Sequence, residues 1–590
     1  MKLNKRGRAT KHVISGLIAT VLLGMGLNGC DIVMTPTSAD IPIVEESIDQ
    51  QALVMFYVEI PDNTPKDETL LLSVLDEVTG LALNTQRYSM TVIDNRHYLV
   101  GVPATLGSVI KYRYSRQGSL LAEEHMSDDR PVRYRLYRVD GPGEVHDVIT
   151  RWNDTVFNDP TGRITGTVHD AANGKPLANI LIAAGGAQAL TTGDGKFFIE
   201  GLPPGTHNLV AYSLDGSYGT FQQGATVASD SNTQASIQLS LSPRIDVAFL
   251  VHVPEGTPPT VPLRMAGNLS TLGNTYANLS GGISTLASEM PTLSLLPDGS
   301  FGIILSLPIG SDIRYKFTLG DGFWNAERST DGAFVTRQIL VGEETSVVED
   351  YVQTWSVGTT APITFDITVP ENTPPDEDIY IQFNPYGWTE PIPMWQLSEY
   401  RWAYILYSPI DMIGELGYRY CRSGQCGHAD DARTPGAFSS GQITHPNEKA
   451  IGLTDAVETW SWLVTELPQV DVTDVKVKPR STDFVTGFEF LPMYHPSWRG
   501  FYTSALQDIA ARGGNQVIFP SSWTFTRLDP PVLEPVAGQN PLWDDITTTV
   551  AQAKDLNLKA ALHAIPHFPT AVDAWWSSAP RDFAWWVSWF

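Results

Sequence analysis

The 590-residue chain is poor in cysteine, in charge and in basic residues, and each shortage excludes something. Of the three cysteines only Cys421 and Cys426 are close in sequence, and a two-cysteine metal site lacks the usual four ligands. Charged residues make up only 18%, and Lys plus Arg (39) are outnumbered by Asp plus Glu (65), for a net charge of −26. A nucleic-acid binder needs a basic patch, and none exists beyond the extreme N-terminus. The acidity reads as solubility outside the cell. No apolar run is long enough to remain in a bilayer as a helix: the longest, Val13 to Leu23, is too short. What is plentiful is Gly (49) and Pro (41) beside an ordinary apolar content of 42%, which suits a turn-rich, mainly β chain of several domains.

Lys2, Lys5, Arg6, Arg8 and Lys11 precede the apolar run, and Leu27-Asn28-Gly29-Cys30 follows it. This is the layout of an export signal. Its ending resembles the bacterial lipobox, which implies that Cys30 is cleaved to the N-terminus and lipidated; the alternative is a plain signal with a chance cysteine. Two or more acyl chains hold a protein on a membrane, at about 0.8 kcal/mol per buried CH2. Residues 1–30 are thus read as a signal and 31–49 as a tether. Cys421 and Cys426 flank a short Arg-Ser-Gly-Gln turn. Export favours a disulfide between them; a metal site would have only His428 nearby. No cofactor and no metal is expected.

Three signals recur in the same order three times. A strand-like run ends in Pro-acidic-x-Thr-Pro at Pro61, Pro254 and Pro370. An aromatic–basic–aromatic strand follows at Tyr112-Arg113-Tyr114, Tyr315-Lys316-Phe317 and Tyr418-Arg419-Tyr420. Each copy closes on Asp-x-(Val/Ile)-x-x-Trp, from Asp147, Asp350 and Asp455. Period-two alternation in Val54 to Val58 predicts strands. The reading is three Ig-like β-sandwiches of about a hundred residues each, at 50–158, 243–358 and 359–465. The middle copy, with Ala266-Gly267-Asn268-Leu269, Tyr315-Lys316-Phe317-Thr318 and Trp324-Asn325-Ala326-Glu327, resembles the family 20 starch-binding modules. That resemblance implies α-glucan stacked on two exposed tryptophans, and the matching positions are Trp324 and Trp402. Phe301 and Tyr98 stand at the Trp402 position in the other copies. The alternative is that Trp324 and Trp402 are core or edge aromatics in sandwiches that act as spacers.

Residues 159–242 differ from these copies. Gly166-Thr167-Val168-His169-Asp170, Thr192-Gly193-Asp194-Gly195-Lys196-Phe197 and Gly201-Leu202-Pro203-Pro204-Gly205 resemble the carboxypeptidase regulatory-like, transthyretin-like domain. This implies a small sandwich without peptidase chemistry. His169 and His207 are isolated and read as structural.

A linker at 466–482 precedes a change of rhythm. Phe484 to Leu491 predicts a strand, Phe501 to Arg512 a helix, Gln516 to Pro520 a strand, Leu542 to Leu556 a helix and Lys559 to Ala564 a strand. Alternation of this kind implies a parallel sheet. The phrase Leu558-Lys559-Ala560-Ala561-Leu562-His563 resembles β-mannanase-type glycoside hydrolases, so 483–590 reads as the start of a (β/α)8 barrel. His495, Trp498, Trp523, His563 and His567 fall at or beyond strand ends, where barrel enzymes meet substrate; packing of loops is the alternative for the tryptophans. The catalytic carboxylates of that clan follow the fourth and seventh strands and are expected beyond Phe590, so no catalytic residue is assigned. The chain is thus expected to be multidomain and mainly β, with tandem Ig-like or starch-binding-like and transthyretin-like sandwiches followed by an incomplete α/β barrel. The expected function is a lipid-anchored, cell-surface or periplasmic-face polysaccharide hydrolase acting on α-glucan or mannan-type glycans, silent by itself. The rival is a non-catalytic carbohydrate-binding or structural surface lipoprotein.

Overall fold

The computed structural model describes residues 51–568, apart from 462–483 and positions 76, 77, 80, 82, 84, 357, 412, 435, 436, 438, 440, 492, 529 and 530, together with 573, 577 and 583–589. Cys30, the tether and the 466–482 linker lie outside the described residues. The molecule is multidomain and mainly β.

The three repeats share one wiring. In each, a central strand (Gln51–Glu59, Arg244–His252 or Ile363–Thr368) pairs antiparallel with one neighbour and parallel with the strand that carries the repeated Asp (Gly143–Val148, Ser346–Tyr351 or Ile451–Ala456). Alternate burial along Gln51–Glu59 follows the apolar periodicity, with Val54, Phe56 and Val58 turned inward. A second sheet is built around Val109–Gln117, Asp312–Thr318 and Leu416–Arg422.

The recurring motifs are the clasps of this fold. The closing Trp donates its indole N–H to the Thr of the Pro-acidic-x-Thr-Pro turn: Trp152 to Thr64, Trp355 to Thr257 and Trp460 to Thr373, each at 2.9 Å. The repeated Asp accepts from the tyrosines of the aromatic–basic–aromatic strand: Asp147 from Tyr112 and Tyr114, Asp350 from Tyr315, Asp455 from Tyr418 and Tyr420. A large indole fills the core while its one polar atom is satisfied, so all three Trp can be buried.

Residues 162–239 form a separate two-sheet sandwich. Gly162–Asp170 lies between Lys196–Leu202 and Asn232–Leu239, facing a four-stranded sheet from Ala187–Leu190 to Phe221–Val227. His207 is buried, with Nε2 2.8 Å from the Pro203 carbonyl oxygen. The sandwich docks on the first repeat through Asn208 and Gln188, which donate to the Leu136 and Tyr134 carbonyls.

The C-terminal unit has three parallel strands, Gly487–Glu489, Gln516–Pro520 and Lys559–His563, with the middle one between the others. Helices Arg499–Ala511 and Trp543–Asp555 cover one face, packing Leu506, Ile509 and Ala553 on Val517 and Phe519. These elements lie where the sequence predicts them, except that the first strand is shorter. Thr524–Leu528 and Pro531–Glu534 form a hairpin between the second strand and the second helix. Among the described residues the parallel sheet has three strands and closes no barrel.

Candidate functional site

The carboxyl ends of the three parallel strands open into a cleft of about 260 Å³. Phe490, Met493 and Tyr494 follow the first strand, Pro520 ends the second and His567 follows the third. Trp498 reaches it from a 3-10 turn (Pro496–Trp498), and Tyr502 from the first turn of the following helix. This is where a parallel α/β sheet presents ligands.

The cleft is lined mostly by aromatic and apolar groups around one carboxylate, Asp545, whose oxygens are both engaged. Oδ2 accepts from the Tyr494 hydroxyl at 2.7 Å and from the Leu542 amide at 2.9 Å, and Oδ1 from Arg499 Nη1 at 3.0 Å. Burial, reinforced by Asp545, pushes the Tyr494 phenol far above its ordinary range, and burial raises that of Tyr502 to about 12. Both are therefore neutral hydroxyls at physiological pH. An aromatic-walled slot with neutral phenols accepts flat apolar faces with hydroxyl rims. Among the described residues its lining holds the single carboxylate Asp545 and not the pair of free carboxylates that glycosidic cleavage needs.

Trp498 and His567 thus line the cleft. His495 stands beside it, with Nδ1 2.7 Å from Ser497 Oγ and Nε2 3.2 Å from Glu390 of the third sandwich. Burial alone would raise the Glu390 carboxyl, but the bond and charge of His495, with the Ser280 amide, bring it below its ordinary value. Trp523 is not brought to the cleft; its ring packs edge-on to Trp543 with centroids 5.0 Å apart. His563 lies on the sheet face away from the helices, its Nδ1 2.6 Å from Glu489 Oε1. Tyr502 and Asp545 were not singled out as site residues from sequence. Tyr502 lies four positions after Trp498, the spacing of neighbours on one helix face, and that was the available signal.

Trp324 and Trp402 do not form a sugar platform. Trp324 is 0% exposed and Trp402 5% exposed. Trp324 belongs to a core shared by the second and third sandwiches: its ring lies 5.0 Å from Phe383, and Nε1 donates to Thr389 Oγ1 at 3.2 Å. Tyr98, Phe301 and Trp402 occupy one register, opposite Val58, Val251 and Ile367, and all three point inward. A face that packs against protein cannot stack on a sugar. Cys421 and Cys426 are joined as a disulfide with Cα atoms 5.0 Å apart. Their sulfurs are therefore not thiolate ligands, although Asp430 lies close by.

Residues 163–240 match the carboxypeptidase regulatory-like domain, and that part of the chain is such a domain. No curated protein matches the chain. Similar solved structures include a streptococcal ancillary pilin (12% identity, 52% of this chain and 99% of that one, TM-score 0.20). A Bacillus anthracis TIE protein matches at 11% identity over 78% of this chain and 80% of that one, TM-score 0.14. A Hypocrea jecorina family 15 glucoamylase matches at 17% identity over 20% of each chain, TM-score 0.14. At these scores the matches carry no argument about fold or function.

Proposed function

We propose that the chain is part of an exported, lipid-anchored glycoside hydrolase whose sandwiches hold a polysaccharide-binding α/β unit away from the membrane. The observation that carries this reading is the aromatic cleft at the carboxyl ends of the parallel strands, with Trp498, Tyr494, Tyr502 and His567 on its walls. Two strand–helix–strand steps with helices on one sheet face support the barrel resemblance. The glycan is of the mannan or α-glucan type. The cleft supplies binding; its one carboxylate among the described residues, Asp545, is engaged on both oxygens.

The test is affinity electrophoresis of the purified protein in gels containing β-mannan or soluble starch, with hydrolysis assayed in parallel. Retardation by one of the polymers, abolished in Trp498→Ala and kept in Trp402→Phe, is the expected result, with no sugar released. Equal migration in all gels removes the glycan reading, and hydrolysis by this chain removes the assignment of chemistry to residues outside it.

A further inference from the structure

In the first sandwich an internal arginine bridges two buried carboxylates. Arg135 Nη2 donates to Glu124 Oε2 at 2.8 Å, Nη1 to Asp147 Oδ1 at 3.0 Å, and Nη2 also to the Val148 carbonyl at 3.0 Å. Its guanidinium carbon lies 5.5 Å from the Tyr114 ring centroid. The second sandwich repeats this cage. Arg337 donates to Glu327 at 2.7 Å, to Asp350 at 2.8 Å and to the Tyr351 carbonyl at 2.9 Å, and lies 5.5 Å from Phe317.

The third sandwich keeps the carboxylates of the cage and has no arginine at the position of Arg135 and Arg337. Register places Arg135 opposite Tyr112, Arg337 opposite Tyr315 and Gln442 opposite Tyr418. Asp431 takes the place of Glu124 and Glu327: its Oδ1 accepts from the Tyr420 amide, as theirs do from the Tyr114 and Phe317 amides. Asp455 takes the place of Asp147 and Asp350 beside the central strand, and Ala456 that of Val148 and Tyr351. Asp431, Gln442, Asp455 and Ala456 line one cavity of about 670 Å³ together with Arg433, which is exposed and, among the described residues, makes no ion pair with either carboxylate. Among the described residues no Lys or Arg forms an ion pair with Asp431 or Asp455. Burial pushes the Asp431 carboxyl above its ordinary value.

We propose that this cavity is a guanidinium-binding site. Asp431 and Asp455 grip the cation, and the Ala456 carbonyl and Tyr420 ring complete the cage that Arg135 and Arg337 fill from within their own sandwiches. Two carboxylates set to bracket a planar five-donor cation select it over a compact ammonium. The site does not depend on the glycan reading. Its ligand is a guanidinium group, either on an arginine side chain of a peptide or on a free guanidino compound.

The test is calorimetric titration of the purified full chain with ethylguanidinium chloride, ethylammonium chloride and calcium chloride. An arginine-containing hexapeptide and its citrulline counterpart form the second arm. Saturable ethylguanidinium binding, at least tenfold weaker for ethylammonium and lost in Gln442→Arg, supports the site. Gln442→Arg restores the internal cation and should raise the melting temperature, so loss of binding there is not loss of fold. Tighter binding of the arginine peptide, absent with citrulline, assigns the group to a peptide; binding of the small cation alone assigns it to a free compound. No ethylguanidinium binding, binding unchanged in Gln442→Arg, or tighter binding of calcium overturns the proposal.

Discussion

Trp324 shows how the neighbours of one side chain decide its role. Its ring and N–H are spent on Phe383 and Thr389 of the next sandwich, so Trp324→Ala opens a cavity between two domains. The expected cost is about 3–5 kcal/mol, read by denaturant unfolding, with glycan retention unchanged in whatever fraction stays folded. Asp321, three residues earlier, is fully buried. Its Oδ1 accepts from the Phe323 and Trp324 amides at 2.7 and 2.6 Å, and its Oδ2 has no hydrogen-bond partner. Burial raises its carboxyl to about 7. The folded state therefore holds this proton more tightly than the unfolded one. The associated stability is present at acidic pH and is lost as pH rises toward and through about 7. Asp321→Asn keeps the acceptor and removes the charge. It should raise stability on the order of 2 kcal/mol at pH 8 and add little near pH 4, as scanning calorimetry at the two pH values would show.

At the scale of elements, the buried arginine cages can be compared within one molecule. Arg135→Met leaves Glu124 and Asp147 buried and uncompensated, and should cost the first sandwich about 3–5 kcal/mol in urea unfolding. Apolar alternation, the repeated motifs and the strand–helix rhythm near the C-terminus made these elements legible in the sequence. The hairpin Thr524–Glu534 was not, because Pro530-Pro531 reads as a breaker; Pro531 begins its strand, a position that needs no ladder N–H. The burial of Trp324 and Trp402 was not legible either. Residue identity carried the starch-binding resemblance, whereas burial is imposed by packing partners distant in sequence. At the cleft, Trp498 and His567 could be read from strand ends. Trp523 stands at a strand end too but packs on Trp543 outside this cleft, whereas His563 ends its strand on the face away from the helices, beside Glu489.

Across the whole molecule, the α/β unit is tied to the sandwiches by charge. Arg499 bridges Asp545 and Glu289, and His495 meets Glu390. Because the folded state lowers the Glu390 carboxyl, that contact contributes above the ordinary carboxylate range and is lost as pH falls through it. Glu390→Gln combined with Arg499→Ala should leave each unit folded yet loosen their union. Limited proteolysis within 462–483 should then become several-fold faster. An unchanged cleavage rate would show that apolar contacts hold the units together.

The central claim is that glycan is met at the strand ends of the α/β unit while the sandwiches act as scaffold. Hydrogen exchange read by mass spectrometry, with and without saturating mannohexaose or maltohexaose, tests it most directly. The account expects one of the two sugars to protect peptides covering 490–502 and 563–568 and to leave the three sandwich repeats unchanged. Protection within a sandwich repeat, or none anywhere with either sugar, would contradict it.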